Sequence, residues 1–195
     1  IQVNYMENNP DCHISGGSAL IIDEFGSNKS YQGYLLDNSD QYDFDDLFSG
    51  RKRVCSPTLM IRTNLLDKLD IFNTDYQIED LYMLLLITSN GYNIHMLKDV
   101  LCYYRKHKEN LHLNYFFIYY ETKKILDQYK DHGCYSIAKH HWEDGIFSSM
   151  AIYHKMAAIK IIPQVFNFRL RFFIRLFKLL IPSFIWGIIK SDDRD

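Results

Sequence analysis

Glu79-Asp80-Leu81-Tyr82-Met83-Leu84-Leu85-Leu86-Ile87-Thr88-Ser89-Asn90-Gly91 is the stretch on which the fold turns. Leu81, Leu84, Leu85 and Thr88 recur at helical spacing, so 79–90 is read as a helix with one apolar face. Two acids open it, where the helix dipole favours negative charge, and Gly91 supplies the stop. Downstream, Tyr92-Asn93-Ile94-His95-Met96 and Val100-Leu101-Cys102-Tyr103-Tyr104 are strand-like and predict a strand pair. That pair runs into the basic segment Arg105-Lys106-His107-Lys108. Upstream, Cys55-Ser56-Pro57-Thr58-Leu59-Met60-Ile61-Arg62 contains a short buried strand at 58–61, followed by a helix at 63–69.

Further towards the N-terminus, Asn9-Pro10-Asp11 breaks an opening helical piece, because proline disfavours helix in the residue before it. Residues 13–23 read as a strand, Asp23-Glu24-Phe25-Gly26 as a turn, and 31–36 as the returning strand of a hairpin. Gly16-Gly17 within the first strand marks a bulge or close strand packing. Asp43-Phe44-Asp45-Asp46-Leu47-Phe48 is a short helix begun by acids, ended by Gly50 and followed by Arg51-Lys52-Arg53. From Leu113 onward the pattern turns all-helical, with helices expected at 114–130, 134–160 and 164–181. Pro163 and Pro182 bracket the last of these.

The chain has 195 residues, 47% of them apolar and 24% charged, so it buries a core and is neither disordered nor a disulfide miniprotein. A net charge of −2 argues against a broadly basic nucleic-acid binder. The charge is segregated, however. Residues 1–50 hold nine acids against Lys29 alone, whereas 145–191 hold seven cations and no acid. The four cysteines, Cys12, Cys55, Cys102 and Cys134, have no zinc spacing and read as reduced thiols in a cytosolic compartment. There is no phosphate-cradling glycine loop, nucleophile elbow or HExxH helix.

Taken in order, Asn9-Pro10-Asp11, Ile22-Asp23-Glu24-Phe25-Gly26, the Ser56 to Arg62 strand, Glu79-Asp80, Gly91 and Tyr104-Arg105-Lys106-His107-Lys108-Glu109-Asn110 resemble the second half of a family 2 glycosyltransferase with the GT-A fold. The resemblance covers about residues 1–112. It implies an α/β fold: the C-terminal half of a Rossmann-like mixed sheet, then an all-helical extension over 113–160 and a tail over 161–195. It also implies inverting transfer of a sugar from a nucleotide-sugar donor to a glycan or lipid-linked acceptor in bacterial surface polysaccharide synthesis.

In such a reaction one base takes the acceptor hydroxyl's proton. The resemblance assigns that role to Asp80, with Glu79 beside it orienting the loop or binding acceptor hydroxyls. Arg105 and His107 would face the donor diphosphate, His107 could ligate a divalent Mn or Mg ion, and Ser56 and Arg62 would lie on the acceptor side. The bland alternatives are ordinary first-turn acids for Glu79 and Asp80, and a solvated basic loop for 105–108. The nucleotide-binding half that supplies the family's Asp-x-Asp metal ligands has no counterpart here, so the chain is expected to be a fragment with an incomplete donor pocket. Asp43 to Asp46 reads as a helix cap, not that metal site.

The tail is rich in Phe, Ile and Leu, with Arg171, Arg175 and Lys178 on one helical stripe. Its longest uncharged run, 179–189, contains Pro182 and falls short of the ~20 apolar residues a spanning helix needs. A basic amphipathic helix lying on a membrane surface through 161–190 fits better, which would place the protein peripherally on the cytoplasmic face. The alternative is a helix packed against its own domain or a partner subunit. Two rival functions follow from other features: a non-catalytic membrane-surface or interaction module, and a divalent-metal hydrolase built on the acids of 37–46.

Overall fold

The computed structural model describes residues 1–27, 33–105, 114–166 and 169–181. The chain divides into two compact units, 1–110 and 111–195. The first is α/β. Helix α1 (Gln2–Asn8) precedes strand β1 (Ile14–Ile22), and short strands β2 (Gly33–Tyr34) and β3 (Asp40–Tyr42) lead into helix α2 (Phe44–Phe48). A 3-10 turn at Ser56–Thr58 then feeds β4 (Met60–Ile61), α3 (Thr63–Leu66), α4 (Glu79–Ser89) and the long strand β5 (Ile94–Arg105).

β1 and β5 pair in parallel from Ile14 opposite Ile94 to Ile22 opposite Arg105. β2 and β4 add antiparallel to β1, and β3 antiparallel to β5, giving a mixed sheet. Residues 14–19 are buried throughout, as a central parallel strand covered on both faces must be. The turn after β1 closes on Asp23, whose carboxylate accepts from the amides of Phe25 (3.0 Å) and Ser27 (2.8 Å), with Gly26 at a φ of 86°.

The strand-like stretches at 92–96 and 100–104 are not a strand pair. They form the single strand β5, and its register against β1 shifts between Gly17 and Ser18 and again between Ser18 and Ala19. The first shift leaves over Lys98 and Asp99, both exposed, and the second leaves over Leu101. Gly16 and Gly17 sit where this happens. A Cβ on Gly17 would lie 2.5 Å from Cδ1 of Leu101, so close packing and a bulge coincide there.

α2 starts as its acids predict: Asp43 caps it by accepting from Asp46 N at 2.8 Å. α4 buries Tyr82, Leu84, Leu85, Ile87 and Thr88 and ends before Gly91, whose φ is 85°. β3 has no sequence signature, since only Tyr42 of its three residues is buried.

The second unit is helical: α5 (Tyr115–Leu126) and a 3-10 turn, α6 (Tyr135–Tyr153), α7 (Lys155–Val165) and α8 (Leu170–Leu176), the last running on into a 3-10 turn at Phe177–Leu179. The helix expected at 134–160 divides at His154, whose φ of −140° and ψ of 61° leave the helical region. That break returns Ala158, Ile161 and Val165 to a core shared with Tyr119, Phe147, Met150 and Phe172. Pro163 lies inside the last turn of α7 instead of ending the segment before it. The described part of the tail therefore belongs to the helical core, with the Phe172 ring 5.3 Å from that of Phe147. Two of its cations turn inward: Arg175 pairs with Asp144 and Lys178 donates to Ser148 Oγ, while Lys155, at the start of α7, donates to the carbonyls of Leu179 and Ile181. Residues 182–190 lie outside the described residues.

Candidate functional site

The site is built on the 3-10 turn before β4. Pro57 pre-sets its backbone, and Thr58 fixes it to the sheet: Oγ1 donates to the Cys55 carbonyl at 2.7 Å and accepts from Gly17 N at 3.0 Å. Gln2 of α1 donates to the Thr58 carbonyl at 2.8 Å. With the turn held from both sides, Ser56 Oγ donates to Asp80 Oδ2 at 2.6 Å. The other oxygen, Oδ1, accepts from Leu81 N at 2.8 Å. The Asp80 carboxylate is thus half-buried and fixed in the first turn of α4. Charge-assisted bonds of this length are stronger than neutral ones, so the carboxylate is pre-oriented.

Glu79, one residue earlier, is exposed. Arg62 is occupied elsewhere. Its guanidinium donates to the carbonyls of Met6, Cys12 (2.8 Å) and Asn9 (3.5 Å), clasping the N-terminal segment to β4. Arg105 donates to the carbonyls of Asp23 (3.2 Å) and Glu24 (2.8 Å), bracing the turn after β1. His107 and its neighbours lie outside the described residues. Of the residues singled out from sequence, the structure therefore brings Ser56 and Asp80 together, and it turns Arg62 and Arg105 to backbone carbonyls.

Strand alternation explains what sequence reading missed. Tyr104 and Cys102 share one face of β5, and Arg105 projects from the other. Tyr104 meets Tyr34 edge to face, ring centroids 5.9 Å apart. Burial raises the Tyr104 phenol above its usual pKa, and the nearby Cys55 and Asp80 add to the rise. Burial pushes the Cys55 thiol up to about 12, with Cys102 beside it contributing, so Cys55 is a neutral, unreactive wall. The Tyr34 phenol is raised by burial and by Tyr104 and Cys55, against an opposing pull from Arg53.

Tyr34 and Cys55 border a surface cleft of about 330 Å3, lined also by Leu35, Tyr42, Arg51, Lys52, Arg53 and Met96 among others. Cys55 is the link: it lines the cleft, and the next residue in the chain holds Asp80. The basic triplet 51–53 had no role in the sequence pattern, because nothing local shows that it borders a cavity.

Within residues 1–110, no three histidine, cysteine or acidic side chains converge at ligand distance among the described residues. Each Asp80 oxygen accepts one hydrogen bond, and His107, the metal ligand that the resemblance implies, lies outside the described residues.

Family models, curated proteins and solved structures give no match to this chain.

Proposed function

We propose that this chain serves in inverting glycosyl transfer from a nucleotide-sugar to a glycan or lipid-linked acceptor, with Asp80 as the general base. The observation that carries the reading is the Asp80 carboxylate, held at 2.6 Å by Ser56 in the first turn of α4, beside a cleft large enough for a small ligand. As the acceptor oxygen attacks the anomeric carbon, its proton passes to Asp80. The bond from that carbon to the donor diphosphate breaks, and the leaving group carries away the electron pair. A fixed carboxylate suits this step because its orientation costs nothing when the acceptor arrives. Glu79, one residue earlier, is exposed and would meet acceptor hydroxyls on this reading.

The resemblance in the order Asn9-Pro10-Asp11, Asp23, Arg62, Glu79-Asp80 and Tyr104-Arg105 supports the same reading. So does an α/β unit that presents Asp80 at a helix start. The divalent ion and the diphosphate role of His107 rest on the resemblance alone, and no step is routed through them. Arg105 braces the turn that follows β1 and acts as a positioning residue.

The test is turnover of the full-length protein across a panel of nucleotide-sugars, read as nucleoside diphosphate release. Asp80→Asn should lower turnover by about 10²–10⁴-fold while donor binding persists, the usual weight of a general base. Unchanged turnover removes the assignment.

A second reading, a membrane-surface role without catalysis, is favoured by one observation. Leu170, Ile174, Phe177 and Leu180 stand 74%, 56%, 64% and 75% exposed along one side of α8 and the turn after it. The same stripe supports peripheral attachment of the enzyme to the inner face of a membrane. Among the described residues no helix is long and apolar enough to cross one.

A further inference from the structure

The cleft bordered by residues 51–53 holds a concentration of cationic donors that the transfer chemistry just described does not use. Lys52 Nζ lies 4.6 Å over the Tyr42 ring and pairs with Asp40 (2.7 Å) and Asp46 (3.1 Å). Arg51 pairs with Asp46 at 3.2 Å, yet its side chain is 64% exposed. These ion pairs orient both side chains along the cleft wall and use up two carboxylates. Arg53 is the third cation. It is exposed, and among the described residues it has no hydrogen bond or ion pair. Three cations against two carboxylates leave the wall net positive, with one guanidinium uncompensated and its fork free for a bidentate anion. The rest of the lining is different: Tyr34, Leu35 and Met96 offer ring and aliphatic surface. A cleft of about 330 Å3 with both cationic and apolar lining selects an amphiphilic anion of small-molecule size.

Cys55 lines the cleft, and the next residue, Ser56, bonds Asp80. On the glycosyl-transfer reading, a ligand that extends from the cleft to present a hydroxyl to Asp80 is the acceptor, not the donor.

The geometry points to this cleft as the binding site for a phosphate or diphosphate ester carried by the acceptor, gripped by Arg53 with Arg51 and Lys52 beside it. The inference rests on the glycosyl-transfer reading for the word acceptor, whereas the anion site itself stands on the cleft alone. Two sources share this chemistry: a lipid-linked diphosphate, whose chain would lie on Leu35 and Met96, and a phosphate ester without a lipid.

The test is calorimetric titration of the full chain with inorganic pyrophosphate, with a water-soluble short-chain prenyl diphosphate, and with the corresponding neutral prenol. Both anions should bind saturably, more weakly as salt is raised, and the prenol not at all. Arg53→Ala should weaken binding at least tenfold with an unchanged circular-dichroism spectrum, and Arg53→Lys should restore part of it. Tighter binding of the prenyl diphosphate than of pyrophosphate identifies a lipid-linked acceptor; equal binding identifies the lipid-free ester. Absence of saturable anion binding, or wild-type affinity in a folded Arg53→Ala protein, overturns the site. Anion binding that depends on Arg53, combined with full turnover in Asp80→Asn, would remove the base and leave the cleft standing, so the two failures are distinguishable.

Discussion

Thr58 shows how much of the site depends on one small side chain. It is 2% exposed, and its hydroxyl donates a hydrogen bond to the Cys55 carbonyl while accepting one from the Gly17 amide. Replacing it by valine keeps the shape and leaves a buried amide without an acceptor, a loss of about 1–3 kcal/mol. Chemical denaturation of Thr58→Val should show that drop. Turnover should fall further than stability alone explains, because the turn that aims Ser56 at Asp80 loses its anchor. Equal unfolding midpoints for variant and parent would refute the anchoring role. Asp80 itself was legible in the sequence as an acid in a helical first turn. Its partner was not, since Ser56 lies 24 positions away and the contact exists only once β4 and α4 are packed.

At the scale of elements, α8 reverses its sequence reading. The helical wheel puts Arg171, Arg175 and Lys178 on one stripe, which suggests cations facing anionic lipid. In the fold, Arg175 and Lys178 face α6 with Phe172, and the outward side is apolar. Any attachment to a bilayer through this element is therefore by insertion of Leu170, Ile174 and Phe177 into the interface, with charge secondary. Flotation with phosphatidylcholine–phosphatidylglycerol vesicles tests this. The wild-type chain should co-float, and the triple variant Leu170→Ser, Ile174→Ser, Phe177→Ser should lose most of its binding while Phe172 keeps the core intact. Flotation undiminished in the triple variant would eliminate the stripe as the contact. β5 teaches a related lesson. Lys98 and Asp99 look like a turn between two strands, yet they are a bulge in one strand, because its partner β1 continues uninterrupted beside them.

For the molecule as a whole, pH acts through a buried carboxyl in the helical unit. Glu143 is 7% exposed; its Oε1 has no hydrogen-bond partner among the described residues, and its ion pair to Lys139 is a long 3.9 Å. Burial raises its pKa above the ordinary 4.5, only partly offset by Lys139 and Lys123. The folded chain then binds more protons than the unfolded one, so stability is full below about 4.5 and declines as pH rises through the raised folded value. Glu143→Gln should raise the thermal midpoint at pH 8 by about 2–4 °C for each kcal/mol relieved, and the difference should vanish near pH 4. A midpoint difference that is the same at both pH values would contradict this origin. What the sequence determined by itself is the local structure: the Asp43 cap, the stops at Gly50 and Gly91, the Asp23 turn, the all-helical second half and the acids that open α4. Each depends on residues within about one helical turn or one tight turn, so each can be read from neighbours along the chain. The tertiary structure alone decided that β5 is one strand, that Arg62 and Arg105 are taken by backbone carbonyls, that Ser56 reaches Asp80, and that 51–53 line a cleft. Those facts depend on which distant segments share a buried surface, and burial is a property of the packed chain that no local pattern encodes.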